Sequence, residues 1–142
     1  MGMFFRSLKL AIDFRARVTM AFCPVICASD ALVDGGTAVR FTVMYRGEEA
    51  PAFVLRFRRD LHAYVNRCSH RGVSLDWDPG RFFDRTGRFL ICAVHGAHYE
   101  PDTGACAGGP CNGGLVKLSV MEKNSAVYLA SLDATRSIRD GQ

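Results

Sequence analysis

A chain of 142 residues fits one domain, and with 49% of its residues apolar it can bury a core without a metal holding it together. Its formal charge of +4 is spread along the chain without a Lys/Arg block, which argues against nucleic-acid binding. No run approaches the roughly 18 apolar residues of a membrane helix, so no membrane association is expected.

Residues 1–20 are basic and mildly amphipathic and read as a flexible N-terminal extension. Residues 18–28 have the apolar character of a signal-peptide core, but Pro24 interrupts them and strand-like residues follow, so export is not expected. The expected compartment is the cytoplasm. From Val25 onward short β-branched and aromatic segments alternate with Gly, Pro and Asp, the texture of an all-β protein. Strands are expected at 25–27, 39–45, 52–58 and 61–66, with turns at 34–36, 46–49 and 59–60. Further strands are expected at 89–92 and 97–100, the first of them preceded by a turn at 84–87. Residues 101–104 form another turn, and the glycine-rich run 104–114 that follows is too poor in side chains to pack as a strand. Segments 115–121 and 126–130 close the chain as a hairpin, and 132–142 is a polar, frayed tail. The domain is therefore expected at 21–131.

Two short Cys/His pairs dominate this layout. The first is Cys68-Ser69-His70-Arg71-Gly72 and the second Cys92-Ala93-Val94-His95-Gly96. Each offers a thiolate and an imidazole at the end of an expected strand, so Cys68, His70, Cys92 and His95 are the candidate metal ligands. Four such ligands suit a tetrahedral zinc, or a two-iron cluster with two Cys on one iron and two His on the other. Structural zinc half-sites are usually unmixed, Cys with Cys or His with His, whereas both half-sites here are mixed. A structural zinc-binding module using the same ligands is the alternative. Cys23, Cys27, Cys106 and Cys111 remain. Cys106 and Cys111 flank a flexible Gly-Gly-Pro run and are close enough to bond, but a reducing compartment favours thiols. His62 and His98 read as surface or satisfied histidines, and Trp77 as core or loop packing. Between Arg56 and Arg88 eight Arg stand against four Asp, either a solvated surface or a docking face for an acidic partner.

The order Cys-x-His-x-Gly followed by Cys-x2-His-Gly resembles the Rieske family. The likeness continues through His95 to Gly104 and to Gly109-Pro110, which matches the family's cluster-covering proline loop, and it spans roughly residues 25–130. It implies an antiparallel β-sandwich with a small cluster-binding subdomain at about 66–112, and one [2Fe-2S] cluster. It also implies that Cys68 and Cys92 hold the inner iron and His70 and His95 the outer one. Twenty-one residues lie between His70 and Cys92, a few more than is usual in the family, and the surplus is expected in the 84–87 turn. The disulfide that joins the two loops in respiratory-complex relatives has no counterpart, because its positions are Val73 and Val94. Tyr99 matches a residue whose phenol donates to a ligand sulfur, and Ala97 stands where high-potential relatives carry a Ser.

By this resemblance the chain looks like a soluble ferredoxin, an electron-transport component of an oxidoreductase system and not a stand-alone catalyst. Its implied partners are a flavin-containing reductase and an oxygenase or other redox acceptor. A ring-hydroxylating oxygenase would need a second iron site with two His and a carboxylate, and no His follows His98.

Overall fold

The structure is a computed structural model that describes residues 24–69 and 72–130. The expected extension at 1–20 and tail at 132–142 lie outside these residues, as do Cys23, His70 and Arg71. Within them run β1 (Val25–Ala28), a 3₁₀ turn (Ser29–Ala31), β2 (Val39–Tyr45), β3 (Glu48–Phe57), β4 (Asp60–Val65) and β5 (Leu90–Ile91). β6 (His98–Tyr99), β7 (Cys106–Gly108), β8 (Lys117–Leu118), β9 (Val120–Lys123) and β10 (Ala126–Leu129) follow. All pairings between these strands are antiparallel, in sheets ordered β1-β10-β9, β2-β3-β4-β8 and β5-β6-β7. The all-β class and the antiparallel architecture agree with the sequence.

Strand β3 holds the layers together because both of its faces are apolar. Side chains alternate along a strand, so Ala50, Ala52 and Val54 join one buried cluster while Phe53, Leu55 and Phe57 join the other. The first cluster includes Val127 and Leu129 of β10 and forms the sandwich core. The second takes in Leu75, Phe82, Leu90 and Tyr99 and ties the small sheet β5-β6-β7 to the opposite face. Phe53 is fully buried and stacks on Phe82 at 3.8 Å between ring centroids. Burying a ring of this size contributes about 1.5–3 kcal/mol.

Hairpin geometry sets several strand ends. The expected turn at 46–49 is shorter: Arg46 and Gly47, with φ of 56° and 80°, make the bend, and β3 begins at Glu48. Pro51 is tolerated inside β3. Its carbonyl accepts the Asn66 amide, so its nitrogen faces the same side, at the end of β4. Between β3 and β4 the turn falls on Arg58 and Arg59, both at positive φ, where the Asp34 carboxylate accepts both amides at 2.8 and 2.7 Å. Trp77 is 53% exposed, so it packs in a loop and does not belong to the core.

Three expectations fail for identifiable reasons. Segment 115–121 is two strands, β8 and β9, because the chain crosses from the central sheet to the sandwich sheet at Ser119. The glycine-rich run does contain a strand: β7 pairs with β6 through backbone groups, which need no side chains. Cys106 and Cys111, expected as thiols, are joined by a disulfide whose Cα atoms lie 5.9 Å apart across the Gly-Gly-Pro bend.

Candidate metal centre

The two Cys/His segments form the same backbone loop twice. In the first, the Cys68 amide donates to the Val73 carbonyl at 2.7 Å and the Gly72 amide to the Cys68 carbonyl at 2.7 Å. In the second, the Cys92 amide donates to the Ala97 carbonyl at 2.8 Å and the Gly96 amide to the Cys92 carbonyl at 3.0 Å. Gly72 and Gly96 sit at φ of 74° and 79°, and a Cβ at either would meet nothing within 4 Å, so glycine is there for its backbone conformation. The two loops thus share one hydrogen-bond frame, with Cys at its start and Gly four residues later. The Ala93 amide donates to the Leu75 carbonyl at 3.0 Å and ties the second loop to the return of the first.

Both cysteines point inward. Cys68 is 3% and Cys92 2% exposed, whereas His95 lies on the exposed tip of its loop. Burial pushes the Cys92 thiol up, the Val94 amide opposes that shift by hydrogen-bonding the sulfur, and the adjacent Cys68 thiol pushes it up further. Two buried sulfurs side by side are costly as bare thiolates. A cation between them reverses that cost.

Tyr99 organises the first sulfur. Its hydroxyl lies 3.3 Å from Cys68 Sγ and 2.9 Å from Ser69 Oγ, and it accepts the Ser69 amide at 3.0 Å. Ser69 has one hydroxyl proton, which it donates to the Gly113 carbonyl at 2.8 Å. With Cys68 as a thiolate, the Tyr99 proton is therefore shared between Ser69 Oγ and Cys68 Sγ. Burial pushes the Tyr99 phenol up, so this donor keeps its proton.

Of the four candidate ligands, the structure brings Cys68 and Cys92 together, carries His95 on the same loop as Cys92, and leaves His70 outside the described residues. Among the described residues no group of three His, Cys, Asp or Glu side chains converges on one point. His98 is satisfied, as expected: its Nδ1 lies 2.7 Å from the Gly96 carbonyl and its Nε2 3.7 Å from Asp84. His62 stands 3.3 Å from Lys117 Nζ.

Sequence reading missed Asn66, which is 1% exposed. Its Oδ1 accepts the Leu75 amide at 2.8 Å and its Nδ2 donates to Asp76 at 3.1 Å, closing the base of the first loop. The only signal was a polar residue directly after the run Ala63-Tyr64-Val65. The arginines also divide. Arg56 pairs with Glu122 at 2.7 Å, and Arg58 and Arg59 form the turn at the other end of β4 from Cys68. Arg81 and Arg85 instead line an open cleft of about 930 Å³ that reaches Trp77, Cys92 and Gly96. The turn at 84–87 forms one wall of this cleft, with Asp84 accepting from the Thr86 hydroxyl at 2.7 Å.

Residues 23–128 match the model of the Rieske [2Fe-2S] domain. The chain belongs to the Rieske [2Fe-2S] domain family. No curated protein gives a significant match. Among solved structures, the Rieske domain resembles the ferredoxin of carbazole 1,9a-dioxygenase from Nocardioides aromaticivorans IC177, with 23% identity and a TM-score of 0.62. That match covers 78% of this chain and 98% of the other. A chain from the complex of reduced oxygenase and oxidized ferredoxin in carbazole 1,9a-dioxygenase is 27% identical, with a TM-score of 0.59, covering 76% of this chain and 92% of the other. The terminal oxygenase of carbazole 1,9a-dioxygenase from Novosphingobium sp. KA1 is 23% identical, with a TM-score of 0.55. There the match covers 72% of this chain but 27% of the oxygenase.

Membership in the Rieske family implies one [2Fe-2S] cluster. The residues present fit it. Two adjacent buried sulfurs receive hydrogen bonds, a histidine stands at the exposed edge, and Gly109 comes so close that a Cβ there would lie 2.7 Å from the Gly96 carbonyl oxygen.

Proposed function

We propose that Cys68, His70, Cys92 and His95 hold the [2Fe-2S] cluster, and that the domain carries single electrons from a flavin-containing reductase to an oxygenase or other redox acceptor. The observation behind this reading is the pair of buried cysteines on two loops of one backbone design. When bound, such a cluster takes up and returns one electron at potentials of about −150 to +300 mV. Cys68 and Cys92 would hold the inner iron in the dry interior, and His70 and His95 the outer one near solvent. The protein's part is to keep the sulfurs dry, to supply donors to them, and to leave one edge open for electron exchange. Tyr99 and the Val94 amide are such donors. Ala97, fully buried, brings no hydroxyl. A potential near −150 mV, the lower end of the Rieske range, follows from this sparse donor set.

The similarity to a ferredoxin over 98% of that ferredoxin's length supports a carrier. On this reading the domain extends over 21–131, with the cluster-binding part at about 66–112. An anaerobic titration with reduced flavin tests the donor side, and reoxidation by a Rieske-type terminal oxygenase tests the acceptor side. The expected result is one electron taken up per chain and returned to the oxygenase. A protein that loads its cluster but accepts no electron from reduced flavin would exclude the proposed donor.

A further inference from the structure

We propose that Cys106 and Cys111 form a second redox site, a disulfide reduced by dithiols, which in its oxidised state clamps the glycine-rich loop over Cys68 and Cys92. The bond closes a ring around Ala107, Gly108, Gly109 and Pro110. The ring and the residue that follows it closely meet the two Cys/His loops at three points. Cys106 is in register with Tyr99, whose hydroxyl reaches Cys68 Sγ. Gly109 lies against the second loop so closely that a Cβ would stand 2.9 Å from Ala97 Cα. Just beyond the ring, Gly113 accepts the Ser69 hydroxyl of the first loop at 2.8 Å.

Beyond the β6–β7 pairing and these contacts, side chains add little restraint to the segment. Gly108, Gly109, Gly113 and Gly114 contribute no side chains to bury, and glycine loses more backbone freedom on ordering than any other residue. A covalent link between Cys106 and Cys111 removes much of that freedom in advance. The two sulfurs are also unequal. Cys106 is exposed, whereas Cys111 is half-buried against the core cluster.

That asymmetry gives the exchange a direction. A thiolate of the incoming dithiol attacks Cys106 Sγ, the Cys106–Cys111 bond breaks, and Cys111 leaves as a thiolate that takes up a proton. The second thiol of the reductant then attacks the mixed disulfide and releases Cys106. The protein gains two electrons and two protons, and the dithiol becomes a cyclic disulfide. The chemistry concerns these two sulfurs alone, so it stands whether or not the cluster reading holds.

The test uses the full chain with whatever metal it carries, purified without reductant and then incubated with or without dithiothreitol. Peptide mapping after iodoacetamide should show Cys106 and Cys111 protected without the dithiol and both alkylated after it. Hydrogen–deuterium exchange across 106–114 should quicken on the order of tenfold on reduction while β2 to β4 remain unchanged. Cys106→Ser with Cys111→Ser should show the faster exchange in either buffer. Alkylation of both cysteines before any dithiol is added would overturn the proposal. So would equal exchange in the oxidised and reduced wild-type chain, a result that does not depend on whether the double variant folds.

Discussion

Replacing Tyr99 by Phe removes one oxygen from a fully buried side chain and leaves its ring in place. The lost hydroxyl stands 3.3 Å from Cys68 Sγ, and its proton is shared with Ser69 Oγ, since the Ser69 proton already goes to Gly113. A whole hydrogen bond is worth about 1 kcal/mol net, so a shared one contributes roughly half of that or somewhat more. A one-electron couple moves about 59 mV for each 1.4 kcal/mol, which turns about 0.5–1 kcal/mol into about 20–40 mV. The donor favours the state with more negative charge on sulfur, so Tyr99→Phe should lower the potential by that amount. Ser69→Ala should do the opposite. Without the competing acceptor the Tyr99 proton goes wholly to the sulfur, and the potential should rise by about 20 mV. Protein-film voltammetry on the parent and both variants measures this directly. An unmoved Tyr99→Phe potential, or a fall in both variants, would refute the shared-proton account.

His70→Ala and His95→Ala should abolish the native absorption spectrum, whereas His62→Ala and His98→Ala should keep it, as read by visible spectroscopy. Gly109→Ala forces a Cβ against the backbone of Gly96 and Ala97 at φ 79°, and should cost about 1–3 kcal/mol in chemical denaturation. Gly87→Ala, at φ 76° with nothing within 4 Å, bears the conformational part alone and should cost about 1 kcal/mol. Burial pushes Asp84 up, but hydrogen bonds from the Thr86 hydroxyl and from the Phe89, Thr86 and Arg88 amides outweigh it, so its carboxyl sits below the usual range. Its contribution to stability is therefore present above the ordinary carboxylate pKa and lost as pH falls through the lowered value, and Asp84→Asn should flatten that acid dependence. With Arg81 and Arg85 beside the second loop, electron transfer to an acidic partner should slow as salt shortens the Debye length from about 30 Å to about 8 Å.

Much of the strand layout was legible because alternation is local. Strand β2 was read with its observed bounds from its own residues, and the turns at 84–87 and 101–104 from Asp, Gly and Pro. What local patterns miss is pairing. β7 exists because β6 lies beside it, and Ser119 marks a change of sheet that no residue type announces. Cys68 and Cys92 were legible as a pair because loop spacing is written in sequence, but the hydrogen-bond pattern that the two loops share appears only in three dimensions. Asn66 escaped for the same reason, since its partners Leu75 and Asp76 come after the loop has turned back. The arginine excess is a count along the chain and not a place in space. Arg56, Arg58 and Arg59 are near Cys68 in sequence, yet β4 carries the chain away from them for about 20 Å.

The central claim is one cluster per chain with its two irons ligated unequally, by cysteines on one side and histidines on the other. Mössbauer spectroscopy of the iron-loaded protein, oxidised and after one-electron reduction, addresses it most directly. Two equally populated and inequivalent iron sites are expected, with the added electron residing on the histidine-bound one. Two equivalent sites, or a chain that takes up zinc in place of iron and sulfide, would contradict it.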